Sequence, residues 1–175
     1  MRLAVLSESE VESRNLSTHR RRAHKLATEP SSSFMFLSSA EDGKVNRFDI
    51  RQAEPVFTFT STLRETNEQI GLNSINMHPL DQHVFAVAGD SLQVLEYDLR
   101  KIRAGDYFRS YSPGGLTQEV RSHHHITCLA YSANGSELLA TYSGGKILKY
   151  DSTPSSPGGD AVLKIYEGLF RLLII

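Results

Sequence analysis

A strand–turn–strand segment recurs three times in this chain and sharply limits what it can fold into. Its clearest copy is FLSSAEDGKVNRFDIR, Phe36 to Arg51. It reads as a strand, a tight Glu-Asp-Gly turn, and a second strand ending on an aromatic residue and Asp. Asp42-Gly43 is a strong hairpin signal, because glycine adopts the positive φ that such turns need. VFAVAGDSLQVLEYDLR (Val84–Arg100) repeats the pattern, and ELLATYSGGKILKYD (Glu137–Asp151) repeats it more weakly. The aromatic-Asp pairs Phe48-Asp49, Tyr97-Asp98 and Tyr150-Asp151 lie 49 and 53 residues apart. Several short strands per unit, at a period of about 40–50 residues, indicate blades of a β-propeller. The expected class is all-β, with about three blades in units 19–60, 68–111 and 123–166. Strands are expected near 34–39, 44–49, 55–60, 72–77, 84–88, 92–97, 126–131, 137–142, 146–150 and 161–166, with almost no helix.

The text before each hairpin repeats too. ATEP (Ala27–Pro30), NMHP (Asn76–Pro79) and AYSA (Ala130–Ala133) each close a short strand before a polar turn. In this the chain resembles the WD-repeat family. A family unit runs Gly-His, strand, aromatic-Ser-Pro-Asp-Gly, strand, Asp-Gly turn, strand, Trp-Asp. The match is degenerate, since the chain has no Trp and places Phe48, Tyr97 and Tyr150 there instead. Thr18-His19 stands where Gly-His would, and Glu68 takes the matching place in the second unit. The turn Asp is present at Asp42, whereas Ser91 and Gly144 replace it later. The resemblance thus implies blade-structural roles for His19, Ser38, Asp42, Phe48, Tyr97 and Tyr150, with a partial hydrogen-bond network in the first unit alone.

Met1–Ser7 reads as a strand and Glu8–Ser17 as a polar loop, so the text starts inside a blade. Propellers close with about four to eight blades, and three would leave open edges. The expectation is a partial propeller over residues 1–168, from a larger one, followed by a tail, 169–175, that fits no strand–turn pattern. A small self-contained β domain is the alternative. The 175 residues suit one domain, and a net charge of −1 gives no steering toward nucleic acid or membrane. No apolar run approaches the ~18–20 residues of a spanning helix, and MRLAVLSESE lacks the regions of a signal peptide. The single Cys128 excludes an internal disulfide and suits a reducing compartment. A nuclear or cytoplasmic location is the plain reading.

Other motifs carry less. HRRRAHK (His19–Lys25) is either a nuclear-localisation or phosphate-binding stretch, or a solvated loop leading into a strand. Three adjacent arginines provide no stacking platform for bases. Lys101–Arg121, rich in Gly, Ser and Tyr, reads as a surface insertion of the kind that often binds partners. His123-His124-His125 raises metal binding, but consecutive residues entering a strand alternate faces and no Cys completes a site. Cys128, in an apolar run, is expected to pack as a small buried residue. Neither a catalytic triad, a carboxylate pair nor a phosphate loop is present, so no enzyme activity or cofactor is expected.

The remaining signal is Asp49-Ile50-Arg51 and Asp98-Leu99-Arg100, in two successive units. Together with HRRRAHKLATEP, INMHPLDQHVFAVAGD and ITCLAYSANGSELLATYS, they resemble the type-eight branch of the cullin-4-associated factors, a group of WD-repeat proteins. That resemblance implies a substrate receptor of a cullin-4 ubiquitin ligase. Asp49, Arg51, Asp98 and Arg100 would dock its damaged-DNA-binding adaptor, and the substrate is unknown. An arginine fork can pair with carboxylates or carbonyls of a partner. The alternatives are that Asp and Arg brace their own turn, and that the chain is a WD-repeat scaffold with no ligase role. The third unit has Asp151-Ser152-Thr153 and lacks the arginine.

Overall fold

The computed structural model describes residues 2–6, 11–16, 19–52, 54–102, 107–114, 124–153, 155 and 162–167. A hairpin of β1 (Arg2–Leu6) and β2 (Val11–Asn15) comes first. Three four-stranded antiparallel meanders follow. The first is β3 (Ala23–Thr28), β4 (Met35–Ala40), β5 (Lys44–Asp49) and β6 (Phe57–Thr60). The second is β7 (Leu72–Met77), β8 (Val84–Gly89), β9 (Val94–Asp98) and β10 (Arg109–Tyr111). The third is β11 (Ile126–Tyr131), β12 (Glu137–Tyr142), β13 (Lys146–Asp151) and β14 (Val162–Glu167). Among the described residues there is no helix. The architecture is a partial β-propeller of about three blades.

The blades are copies in detail. Met35, Val84 and Glu137 pair with Asp49, Asp98 and Asp151, so the three hairpins share one register. Each first strand carries a register shift at the same place: Ala23/Lys25, Leu72/Ser74 and Ile126/Cys128. These first strands lie side by side, β7 between β3 and β11. Gly43 closes the first hairpin at φ +65°, and its amide donates to the Ala40 carbonyl at 3.0 Å. A side chain there would be strained, and its Cβ would come within 2.8 Å of the Ile70 carbonyl oxygen.

Two cores lie between the blades. Leu37, Val45, Leu72, Ile75, Phe85 and Tyr97 are fully buried between the first and second. Ala86, Val94, Tyr111, Leu138 and Tyr150 are fully buried between the second and third. Removing one such large apolar side chain from water is worth about 1.5–3 kcal/mol. The third-strand aromatics follow one rule. Tyr97 meets Phe59 of β6 at 5.0 Å, and Tyr150 meets Tyr111 of β10 at 5.3 Å. Phe48, stacked on Phe36 at 5.1 Å, clusters with Leu16 just past β2.

The structure corrects three expectations. The polar stretch read as a loop over 8–17 contains β2, because backbone pairing in a hairpin does not require apolar side chains. The expected insertion over 101–121 contains β10, whose three residues are too few to show a periodicity. Cys128 is half-buried rather than core, with the Lys25 ammonium 3.2 Å from its sulfur; the register shift in β11 leaves Leu129 to fill the core. Among the described residues no His/Cys/Asp/Glu cluster could hold a metal. His123 and the tail 169–175 lie outside the described residues.

Candidate docking rim

The strands of each blade run between two rims. The β4–β5 turn and His19 are at one, called upper here. The turns after β5, β9 and β13 are at the other, the lower.

On the upper rim the first blade builds a hydrogen-bond network around His19. Its Nδ1 is 3.1 Å from Asp42 Oδ1 and its Nε2 is 2.6 Å from Ser38 Oγ. Asn46 Nδ2 is 3.2 Å from the same Nε2, and Thr58 Oγ1 donates to Asn46 Oδ1 at 2.7 Å. Burial pushes the Asp42 carboxyl up, but the Arg20 and Lys44 amides and the His19 ring outweigh it and leave it below the usual range. Asn46 and Thr58 escaped the sequence reading. A polar residue inside a strand was their signal, since a fully buried Asn must find partners. Phe48 packs and has no polar atom to add. Tyr97 and Tyr150 keep one: their hydroxyls lie 2.9 Å from Ser61 Oγ and 2.8 Å from the Tyr142 hydroxyl.

On the lower rim the three blades turn in the same way. The residue two beyond each Asp donates its amide to that Asp's Oδ1: Arg51 at 3.0 Å, Arg100 at 2.9 Å and Thr153 at 2.9 Å. The residue between donates its amide to the preceding hairpin loop. Ile50 bonds the Phe34 carbonyl, Leu99 that of His83 and Ser152 that of Ser136, at 2.9, 2.8 and 2.9 Å. Each Asp therefore holds its turn, arginine or not.

The first two blades add a fork. Arg51 Nε and Nη2 donate to Asp49 Oδ1 and Oδ2 at 2.8 and 2.6 Å. Arg100 repeats this on Asp98 at 2.9 and 2.7 Å. The arginine bonds, with the turn amides, hold both carboxyls down at about 2. Both aspartates are largely covered, whereas the arginine side chains remain 64% and 56% exposed. In this geometry each guanidinium spends two N–H groups inward and has three more for a partner. Arg51 also lies over the Phe34 ring, 4.7 Å from its centroid. Phe34, Val56, Leu80 and Phe108, all in lower-rim segments, are large apolar side chains left exposed. Ser31 Oγ donates to Gln82 Oε1 and joins the lower loops of the first two blades. The rim is therefore one surface carrying two presented arginines among apolar side chains.

No family model matches the chain. The chain is 28% identical over 142 residues to DDB1- and CUL4-associated factor 6 of Homo sapiens, and equally to that of Mus musculus. Each match covers 73% of the chain and 16% of the relative. It is 25% identical over 155 residues to Protein ALTERED SEED GERMINATION 2 of Arabidopsis thaliana, covering 72% of the chain and 20% of that protein. The chain is thus distantly similar to proteins of the DDB1- and CUL4-associated-factor kind. It spans about a fifth or less of the length of these relatives, and no one branch is singled out by them.

Proposed function

We propose that this chain belongs to the substrate receptor of a cullin-4 ubiquitin ligase and contributes the face that docks the DDB1-type adaptor, through Arg51 and Arg100. One observation carries the reading. In the third blade Asp151 closes the same turn onto the Thr153 amide with no arginine. The fold does not need the fork, so its presence in the first two blades calls for a use beyond the turn. An arginine aligned by its own aspartate and still exposed is pre-organised for a partner's carboxylate or carbonyl, at low ordering cost. The kinship with a protein named as a DDB1- and CUL4-associated factor supports the same partner. The type-eight branch remains our assignment from the quoted motifs. The role is one of protein interaction rather than catalysis, in the nucleus or cytoplasm, with residues 1–168 as part of a propeller.

The test is co-purification of the adaptor and cullin-4 with the natural full-length protein. Arg51→Ala combined with Arg100→Ala should weaken adaptor binding by at least about tenfold. Melting and far-UV circular dichroism should change little, because Asp49 and Asp98 keep their turn amides. Adaptor binding at wild-type affinity would overturn the docking reading. Unfolding would make the forks structural braces and favour a WD-repeat scaffold without a ligase role.

A further inference from the structure

The opposite rim of the first blade carries a different kind of arginine. Arg47 is held by Glu29, Arg51 by Asp49, Arg100 by Asp98 and Arg109 by Glu96, while Arg64 bonds the Tyr107 carbonyl. Arg20, Arg21 and Arg22 are exposed and make no side-chain hydrogen bond or ion pair among the described residues. Their backbone, by contrast, is clamped. The Arg20 amide donates to Asp42 Oδ2 at 2.7 Å, and the Arg22 carbonyl accepts from the Glu41 amide at 3.0 Å. Asp42 is in turn held by His19.

The carboxylates beside them are engaged. Asp42 is buried and takes the Arg20 and Lys44 amides as well as His19. Glu41 is bonded to His24 at 2.9 Å. Lys44, directly after the turn, adds a further cation to this end of the blade.

The blade does not require these charges. The bond that Glu41 makes to Arg22 is made by Asp90 to Gly71 and by Ser143 to His125 in the next two blades. By that register, Arg20, Arg21 and Arg22 correspond to Gln69, Ile70 and Gly71 in the second blade. The same lead-in is thus built there without a single arginine.

We infer that Arg20, Arg21 and Arg22 form an anion-binding rim for an acidic polypeptide segment, rich in Asp or Glu, at the end of the blade away from Arg51. A fixed backbone with three exposed, unengaged guanidinium heads suits a run of carboxylates of irregular spacing. Nucleic acid fits less well, since base stacking needs exposed rings. Among the described residues, exposed Phe34 and Phe108 belong to lower-rim loops and Tyr166 to the outer strand of the third blade. Naming that peptide a ligase substrate rests on the receptor reading; the binding itself does not.

Fluorescence anisotropy of a fluorescein-labelled glutamate decamer with the natural full-length protein is the test. Saturable binding is expected, weakening as ionic strength rises from about 0.05 to about 0.3 M. Arg20→Ala with Arg21→Ala and Arg22→Ala should weaken it about tenfold or more. The corresponding triple lysine variant should retain most of it, and Arg51→Ala with Arg100→Ala should leave it unchanged while losing the adaptor. Should the triple alanine chain misfold by circular dichroism, Arg21→Glu, a single exposed change, takes its place with the same expectation. No binding, or equal binding by the alanine variants, overturns the inference. So does tighter binding of a thymidine decamer that the same variants abolish, because the partner would then be nucleic acid.

Discussion

The junction between the first and second blades and the junction between the second and third do the same job with different chemistry. The first is almost wholly apolar. Phe59 packs on Phe85 and Tyr97, with ring centroids 6.0 and 5.0 Å away, and the hydroxyl pair Ser61–Tyr97 is buried among them. The second has a charge at its centre. Glu96 is 1% exposed, with its Oε2 3.1 Å from Arg109 Nε. Tyr111, Tyr131 and Ser152 donate to the same carboxylate at 2.8, 2.5 and 3.3 Å. Burial, then the Glu96 charge, push the Tyr111 and Tyr131 hydroxyls above the usual tyrosine range. The second junction also uses β7 side chains to satisfy β11. The Leu129 amide donates to Ser74 Oγ at 3.0 Å, and Asn73 Nδ2 donates to the Ile126 carbonyl at 3.1 Å. An apolar junction fixes how closely two blades approach. A polar one also fixes their register, because few alignments satisfy every donor.

Mutations can break that contrast. Glu96→Ala should have one of the two largest effects, about 3–5 kcal/mol, because it leaves a covered guanidinium without its counter-charge. Urea unfolding of the chain measures it, and a loss under about 1 kcal/mol would mean that the cluster is dispensable. Phe59→Ala should cost about 3–5 kcal/mol through the cavity it opens. In the same junction Ser61→Ala should cost only about 1–2 kcal/mol, for the lost Ser61–Tyr97 hydrogen bond. If Ser61→Ala cost as much as Phe59→Ala, the first junction would be polar in energetic terms too.

A third blade face sharpens the point. Leu37, Ala86 and Leu139 hold the same position in the three second strands, by register with the aspartates. Leu37 and Ala86 are fully buried, whereas Leu139 is 37% exposed. A blade position becomes core only when another sheet lies on it.

The smallest effect belongs to the lower rim. Arg51 holds Asp49 at about 2, below its unfolded value. What the pair contributes is therefore complete above about pH 4 and lost as pH falls through about 2. Carboxyl NMR titration should place the Asp49 midpoint near 2 and move it upward in Arg51→Ala. A midpoint indifferent to that substitution would show that the turn amide alone holds the carboxylate.

Much of this was legible in the residues. Asp42-Gly43 marked a hairpin because the turn needs positive φ, and the recurring aromatic-Asp pair marked the end of each third strand. Asp49 and Arg51 share a turn only two residues long, so their pairing is local and open to sequence reasoning. β10 was hidden because three residues show no period. The Glu96 cluster was hidden because Arg109 meets it through the short strand β10, and Tyr131 and Ser152 reach it only when two sheets pack. The half-buried place of Cys128 depends on a register shift that no composition reports.

The sequence by itself determined the repeated strands, their turns and the aspartate that ends each unit, because φ preference, alternation and short-range hydrogen bonds act within a few residues. Only the tertiary structure decided which arginines are spent and which are presented. Glu29 and Glu96 look alike in the sequence, and each captures the guanidinium that strand pairing brings within about 3 Å. Arg20, Arg21 and Arg22 stay unpaired among the described residues, while the nearby Asp42 is taken by backbone amides and His19, and Glu41 by His24.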